Sequence, residues 1–142
     1  GKGIYVRVHG KSWKKMKSKL KELSSRRSVQ SIRPALAKIK VYMCGWLNYY
    51  GIAEMKNRIE ELNKWLYHRI RMCIWKHWKT PQNKYKNLVK LGVEPRNATR
   101  AAWSHGYARI CRTETVCYAM SNARLARFGL LSAEAYFVKV SS

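Results

Sequence analysis

The side chains that carry most enzyme chemistry are sparse in this sequence. All seven acidic residues of the 142-residue chain are glutamates, at positions 22, 54, 60, 61, 94, 114 and 134, and there is no aspartate. Polymerases, nucleases and phosphatases that hold two metal ions need clustered carboxylates, which acids so scattered do not easily supply. The sequence therefore favours a protein that binds a polyanion over one that cuts or copies it.

Cysteine and histidine offer two further chemistries, metal binding and nucleophilic catalysis. Cys73 and His77 lie four residues apart, and His105, Cys111 and Cys117 follow at six-residue steps. Zinc modules normally use tighter Cys-X2-4-Cys pairs, and no acid lies near to orient a Cys-His pair. We therefore predict no metal site, and thiols, including Cys44, that are reduced and packed as small hydrophobic groups in a cytoplasmic protein.

Basic residues dominate the chemistry that remains. Lys and Arg number 30, and the formal net charge is +23. Residues 1–40 carry a net charge of +12, residues 41–80 carry +4 and residues 81–142 carry +7. Phosphates repeat along a strand and reward cations that are spread over distance, so this distribution favours nucleic acid over a single acidic protein as the partner.

The densest run of cations falls on a predicted helix over residues 11–23. Apolar residues at Trp13, Met16, Leu20 and Leu23 are three and four apart and define one face, while lysines occupy the other faces. An ordinary solvated face mixes charges of both signs, but Glu22 is the one acid here. Because such self-repulsion destabilises a fold unless a polyanion offsets it, this helix is the strongest functional signal.

Hydrophobic periodicity predicts an all-α fold for most of the chain. A second helix begins near Ser31 and stops at Gly51, and a third runs from about Glu54 to Lys79 before Pro81. The pattern after residue 80 predicts a short helix ending at Gly92, a helix opening at Pro95, an extended or irregular link over 106–112, one helix over Val116–Phe128 and a last short helix through Tyr136.

The first residues follow a different pattern. Ile4, Val6 and Val8 alternate with polar or aromatic residues, which predicts a short strand. A strand cannot stand alone, so we expect its partners in a preceding part of a longer protein, which agrees with the missing initiator Met. No signal peptide and no run of 18 apolar residues is present, so no membrane partner is expected.

Many aromatic residues can stack on unpaired bases, but most lie at helical core spacing. We predict that Trp13, Trp46 and Trp65 pack in the core. Trp75 and Trp78 lie at the end of the third helix. We expect a buried contact there between the two more basic parts of the chain, residues 1–40 and 81–142. The aromatics that remain as candidates are Tyr49, Tyr50, Tyr67, Trp103 and Tyr107.

Several of these segments together resemble the C-terminal part of group II intron reverse transcriptases, or maturases. The segments that carry the resemblance are the strand Gly3 to His9 with the Lys-rich helix after it, Gly45-Trp46-Leu47-Asn48-Tyr49-Tyr50, Leu62 to Leu66, Arg69 to Lys79, Asn87 to Gly92, His105 to Ile110, Asn122 to Leu125 and Phe128-Gly129. Where the family often has an aromatic-Arg pair after Gly-Tyr, this chain has Ala108-Arg109.

The resemblance implies three parts. Residues 1–10 would be a remnant of a palm strand, residues 11–80 a three-helix thumb (maturase or X) domain, and residues 81–142 a small helical DNA-binding domain. The thumb would bind intron RNA to promote splicing and grip the RNA-DNA template-primer, and the tail would bind target DNA for intron mobility. The fingers and palm of the same parent protein would hold the catalytic magnesium, so this fragment would have no cofactor and no enzymatic activity. The parent would be a cytoplasmic bacterial protein, associated with the nucleoid during mobility.

Two sets of cations are the candidate contacts. For RNA or the hybrid they are Lys14, Lys15, Lys17, Lys21, Arg26, Arg27, Arg33, Lys38 and Lys40. For DNA they are Lys84, Lys86, Arg96, Arg100, Arg109, Arg112, Arg124 and Arg127.

Two other classes of function stay open. A free-standing basic protein can bind duplex DNA through a helix-turn-helix near residues 84–103, although it would have no use for the strand at 4–8. An enzyme in its own right would need a magnesium-dependent activity of the isolated chain, and we expect none.

Overall fold

The computed structural model describes residues 10–25, 30–50 and 56–141. Within these ranges the regular structure is entirely α-helical, which confirms the all-α class. The helices are α1 (Gly10–Leu23), α2 (Ile32–Tyr50), α3 (Lys56–His77), α4 (Pro81–Lys90), α5 (Pro95–Ala102), α6 (Tyr107–Ile110), α7 (Glu114–Ala119), α8 (Asn122–Phe128) and α9 (Ala133–Ser141). The predicted strand over residues 4–8 lies outside the described residues.

The first three helices bury the apolar stripes that define them. Met16 and Leu20 of α1 are fully buried, and Leu36, Ile39 and Met43 of α2 are almost fully so. The α3 helix buries the stripe from Ile59 to Ile70 on the same core. Spacings of three and four residues place each set on one face, and burial of that face against the others stabilises helices that would be marginal alone.

One hydrophobic core continues from α1 to α9. The last helix, α9, packs on both α2 and α3, and α6 packs on α3 as well. The buried Asn63 of α3 accepts a hydrogen bond from the backbone N–H of Ala133 at 2.8 Å, which satisfies an amide at the start of α9. The division at residue 80 stays a prediction, and two units divided there would share this core.

The junction between α3 and α4 is well specified by sequence. Thr80 accepts a hydrogen bond from the backbone N–H of Asn83, and Pro81 occupies the first helical turn, where its missing N–H costs nothing. Lys79 has a positive φ of 62°, in the left-handed region, so the right-handed backbone of α3 does not continue through it. The predicted end of the third helix near Lys79 and Pro81 is therefore confirmed to within two residues.

Two predictions for the tail were wrong. The segment 106–112 is not extended, because Tyr107–Ile110 forms the short helix α6 after Gly106 in the left-handed region. The single helix predicted over Val116–Phe128 is two helices, α7 and α8. Ser121 has extended backbone and its hydroxyl accepts from the N–H of Arg124, so it begins a new helix where periodicity alone predicted continuity.

The predicted core position of the tryptophans is only partly correct. Trp46 is buried, with 8% of its surface exposed, and Trp75 is 2% exposed. Trp13 and Trp65 are instead half-buried and pack against the edge of the core. Trp13 makes an edge-to-face contact with Trp46 at 5.7 Å between ring centroids. Trp13 of α1 therefore packs from the edge of the core onto the buried Trp46 of α2.

Truncation of Trp46 tests this assignment. We expect Trp46→Ala to lower the free energy of unfolding by about 3–5 kcal/mol, because it removes a buried ring and leaves a cavity. Tyr49→Ala on the same helix is the matched control: Tyr49 is 80% exposed, so its loss should change stability by about 0.5 kcal/mol or less. Chemical denaturation of both variants gives the comparison, and equal effects would contradict the core position of Trp46.

Candidate nucleic-acid interface

The exposed face of α1 carries cations that no acid neutralises. Lys14, Lys15 and Lys21 are exposed, and among the described residues none of the three has a carboxylate within 4 Å. Lys19 is the exception on this helix, because its ammonium pairs with Glu22 at 3.2 Å. The predicted basic face is therefore present on α1 as a surface with a positive field directed into solvent.

The second helix extends this surface. It contains no acidic residue, and its cations Arg33, Lys38 and Lys40 are all exposed. The α1 and α2 helices pack against each other, and Lys19 of α1 and Lys38 of α2 line one shallow surface pocket. Two further candidates for RNA contact, Arg26 and Arg27, lie outside the described residues.

The seam between α1 and α3 is held by cations stacked on tryptophan. The Lys17 ammonium lies 4.6 Å from the Trp65 ring centroid, and the Arg58 guanidinium lies 4.1 Å from that of Trp13. Arg69 donates to the Ser24 hydroxyl at 2.8 Å. Burial lowers the pKa of the Arg69 guanidinium, but the ordinary pKa of arginine is so high that the group stays charged. Lys17 was predicted as an RNA contact, but its side chain also has this structural position.

The candidate DNA-binding cations also divide into exposed side chains and side chains with contacts inside the protein. Lys86, Arg96, Arg100, Arg112 and Arg127 are exposed. The other three have contacts within the protein: Lys84 lies 5.0 Å from the Trp75 ring centroid, Arg109 donates to the backbone carbonyl of His105, and Arg124 donates to those of Leu91 and Ala119 at 2.6 and 3.0 Å. The Lys84–Trp75 contact joins the end of α3 to α4. A phosphate contact by Arg124 would compete with its two carbonyl bonds.

Three of the aromatic rings that were predicted as stacking candidates are exposed. Tyr49 is 80% exposed, Trp103 49% and Tyr107 46%, whereas Tyr67 is buried. The ammonium of Lys76 lies 3.8 Å from the Tyr107 ring centroid, which gives that ring a fixed cationic neighbour. Tyr49, Trp103 and Tyr107 are therefore the predicted stacking candidates that an unpaired base can reach.

Sequence reasoning missed the buried Arg71. Its guanidinium donates to the carbonyl of Met120 at 2.8 Å and to the Asn122 side chain at 2.6 Å, which are the residues on either side of the break between α7 and α8. The available signal was its position four residues after Tyr67 and four before Trp75, both buried, which puts it on an inward-facing row of α3.

The thiols and histidines form no candidate metal centre in the described part of the chain. No group of three or more His, Cys, Asp or Glu side chains lies there with the geometry to hold an ion. Burial, helped by the nearby Cys117, raises the pKa of the Cys111 thiol to about 12, although Arg71, Lys84 and Lys76 act in the opposite direction. Cys111 therefore stays protonated at neutral pH, which makes it a poor nucleophile and metal ligand.

Fold and surface together define a basic all-α domain. Residues 13–92 match the family model of the group II intron, maturase-specific domain. Because this match spans more than half of the chain, the chain belongs to that family, and its function is that of an intron-related maturase. The resemblance seen in the sequence is confirmed over these residues. No curated protein matches the chain. Within the described ranges, no helix is long and apolar enough to cross a membrane.

The position of Arg71 generates a stability prediction. We expect Arg71→Met to lower the free energy of unfolding by about 1.5–3 kcal/mol, because the buried carbonyl of Met120 and the Asn122 amide lose a charged donor. Arg112→Met removes an exposed guanidinium and should cost about 0.5 kcal/mol or less. Urea denaturation measures both, and similar midpoints for the two variants would show that the Arg71 bonds contribute nothing.

Proposed function

We propose that the chain binds group II intron RNA through the exposed cations of α1 and α2 and thereby promotes splicing. The observation that carries this proposal is the exposed charge of Lys14, Lys15 and Lys21, which have no carboxylate partner among the described residues. They lie on α1, which packs against α2, a helix without acidic residues. Such a surface repels itself in the free protein, and the phosphates of RNA remove that repulsion on binding.

Recognition by this surface depends on shape more than on sequence. Lysine and arginine on packed helices meet phosphates along a groove at fixed spacing, whereas reading a base edge requires side chains that enter the groove. A-form RNA presents a wide, shallow minor groove with flanking phosphates, and an RNA-DNA hybrid shares much of that shape. The same face therefore serves intron RNA and, in the parent polymerase, the template-primer.

The tail contributes a second contact, with target DNA during intron mobility. Its exposed cations Lys86, Arg96, Arg100, Arg112 and Arg127 are the main candidates, with Lys84 and Arg109 beside them. The catalytic fingers and palm, with their magnesium, belong to the parent protein, which we propose acts in the bacterial cytoplasm and at the nucleoid. The fragment itself supplies binding and no catalysis.

One observation supports the helix-turn-helix alternative for the DNA contact. The helices α4 and α5 pack against each other and are joined by residues 91–94, a four-residue turn that includes Gly92 at a φ of 99°. A turn of three or four residues with glycine is typical of that motif. Competition between duplex DNA and structured RNA for the chain separates the two functions: a free-standing DNA-binding protein would prefer the duplex at every salt concentration.

The first test is the salt dependence of RNA binding. If about six phosphates are engaged, affinity should fall by roughly 10³-fold between ~50 and ~200 mM salt, because each phosphate that is neutralised releases condensed counterions. Filter binding of a group II intron RNA at several salt concentrations gives the slope. A nearly flat response would show that phosphate binding is not the source of the affinity.

Charge reversal on α1 tests where the RNA lies. We expect the double variant Lys14→Glu, Lys15→Glu to weaken RNA binding and to reduce the salt slope by about 0.7–0.9 for each phosphate that the variant no longer neutralises. The control is Lys56→Glu, Lys64→Glu, which makes the same change in net charge at exposed positions of α3. Circular dichroism verifies that both variants fold, and equal reductions in affinity would exclude a specific role for α1.

A further inference from the structure

A groove of about 480 Å³ lies where α2, α3, α4 and α8 meet. This volume is within the range of roughly 300–1,000 Å³ that is typical of pockets for small organic ligands. The residues of its wall and mouth that matter to the argument are Arg33, Trp78, Asn87, Lys90, Leu125 and Phe128. We call it the α8 groove.

The α8 groove combines an aromatic wall with an apolar base. Phe128 is 44% exposed, and the Arg33 guanidinium lies 5.1 Å from its ring centroid. Trp78 is half-buried and packs against the core, while Leu125 is buried beneath the groove. These groups present flat, stackable surfaces that can hold a planar ring.

The charge at the α8 groove has one sign. Arg33 and Lys90 are exposed at its edge, Arg124 lines it while held by two backbone carbonyls, and no acidic residue lines it among the residues that the structure describes. The side-chain amide of Asn87 also lines it and offers both a donor and an acceptor. The groove thus suits a planar, hydrogen-bonding group that is attached to an anion.

We propose that the α8 groove takes one unpaired nucleotide of a bound RNA, an inference that rests on the proposed RNA-binding function. The base stacks on Phe128 and its neighbouring guanidinium, its polar edge reaches Asn87, and the phosphate on either side contacts Arg33 or Lys90. Unpaired bases are the part of RNA that aromatic and arginine planes recognise. Arg33 is one of the exposed cations of α2 that we propose contact RNA, so an RNA held by it lies at the mouth of the groove.

The experiment compares two RNA hairpins of equal charge. One carries a single extruded 2-aminopurine in its stem, and the other is fully paired. We expect the chain to bind the first about 5-fold or more tightly, because stacking of one base is worth that much or more, and we expect 2-aminopurine fluorescence to fall on binding. Phe128→Ala should abolish both the preference and the fluorescence change.

Two exposed lysines give a matched pair of variants that does not depend on the aromatic wall. Lys90→Ala, at the edge of the groove, should reduce the preference for the extruded nucleotide. Lys56→Ala, at the start of α3 and outside the groove, should leave the ratio of the two affinities unchanged. Thermal unfolding verifies that each variant is folded.

The outcomes separate the inference from the function on which it rests. Equal affinity for both hairpins, or a preference that survives both Phe128→Ala and Lys90→Ala, overturns the nucleotide site and leaves RNA binding in place. Failure to bind either hairpin in a salt-dependent way overturns the proposed function and this inference with it.

Discussion

Burial of α3 is the constraint on which the rest of the fold depends. Its aliphatic stripe supports the packing of α1 and α2, Asn63 holds the start of α9, and Arg71 holds the break between α7 and α8. Near the end of α3, the ring of Trp75 contacts the ammonium of Lys84 from α4. A helix of 22 residues that is contacted on several sides cannot slide or rotate without breaking several of these interactions at once. The helices that pack around α3 are therefore held at fixed relative positions, and so is the backbone that carries their cations.

Aromatic rings replace carboxylates as partners of the cations. The ion pairs Lys19–Glu22 and Lys64–Glu61 of the described residues are both exposed. Among these residues, seven cations lie over tryptophan or tyrosine rings: Lys17, Arg58, Arg69, Lys76, Lys84, Arg124 and Lys139. A ring quadrupole attracts a cation without cancelling its charge. The positive field therefore remains available to an external anion, whereas a carboxylate partner would have reduced it.

The parts of the fold that sequence could predict are those decided by periodicity and by strong helix stops. The core faces of α1 to α3 and the stop at Pro81 follow from local pattern. The break before α8 does not, because it depends on Ser121 capping α8 and on Arg71, which donates to the Met120 carbonyl from 49 residues earlier in the chain. Trp13 and Trp65 have core spacing as well, and only the packing of α1 on α3 shows that both rings lie at the edge of the core.

For the candidate interface, residue type and helical phase predicted which cations are exposed, but tertiary structure decides which are already engaged. Arg124 lies on α8, as the exposed Arg127 does, yet its guanidinium donates to carbonyls from the end of α4 and from α7. The two predicted cation sets also meet: Arg33 from the first set lies over Phe128, on the same short helix as Arg124 from the second. Arg33 therefore places one candidate RNA contact directly beside the helix that carries a candidate DNA contact. Under the proposed function, RNA on α2 and target DNA on the tail would compete for this junction if both extended into it.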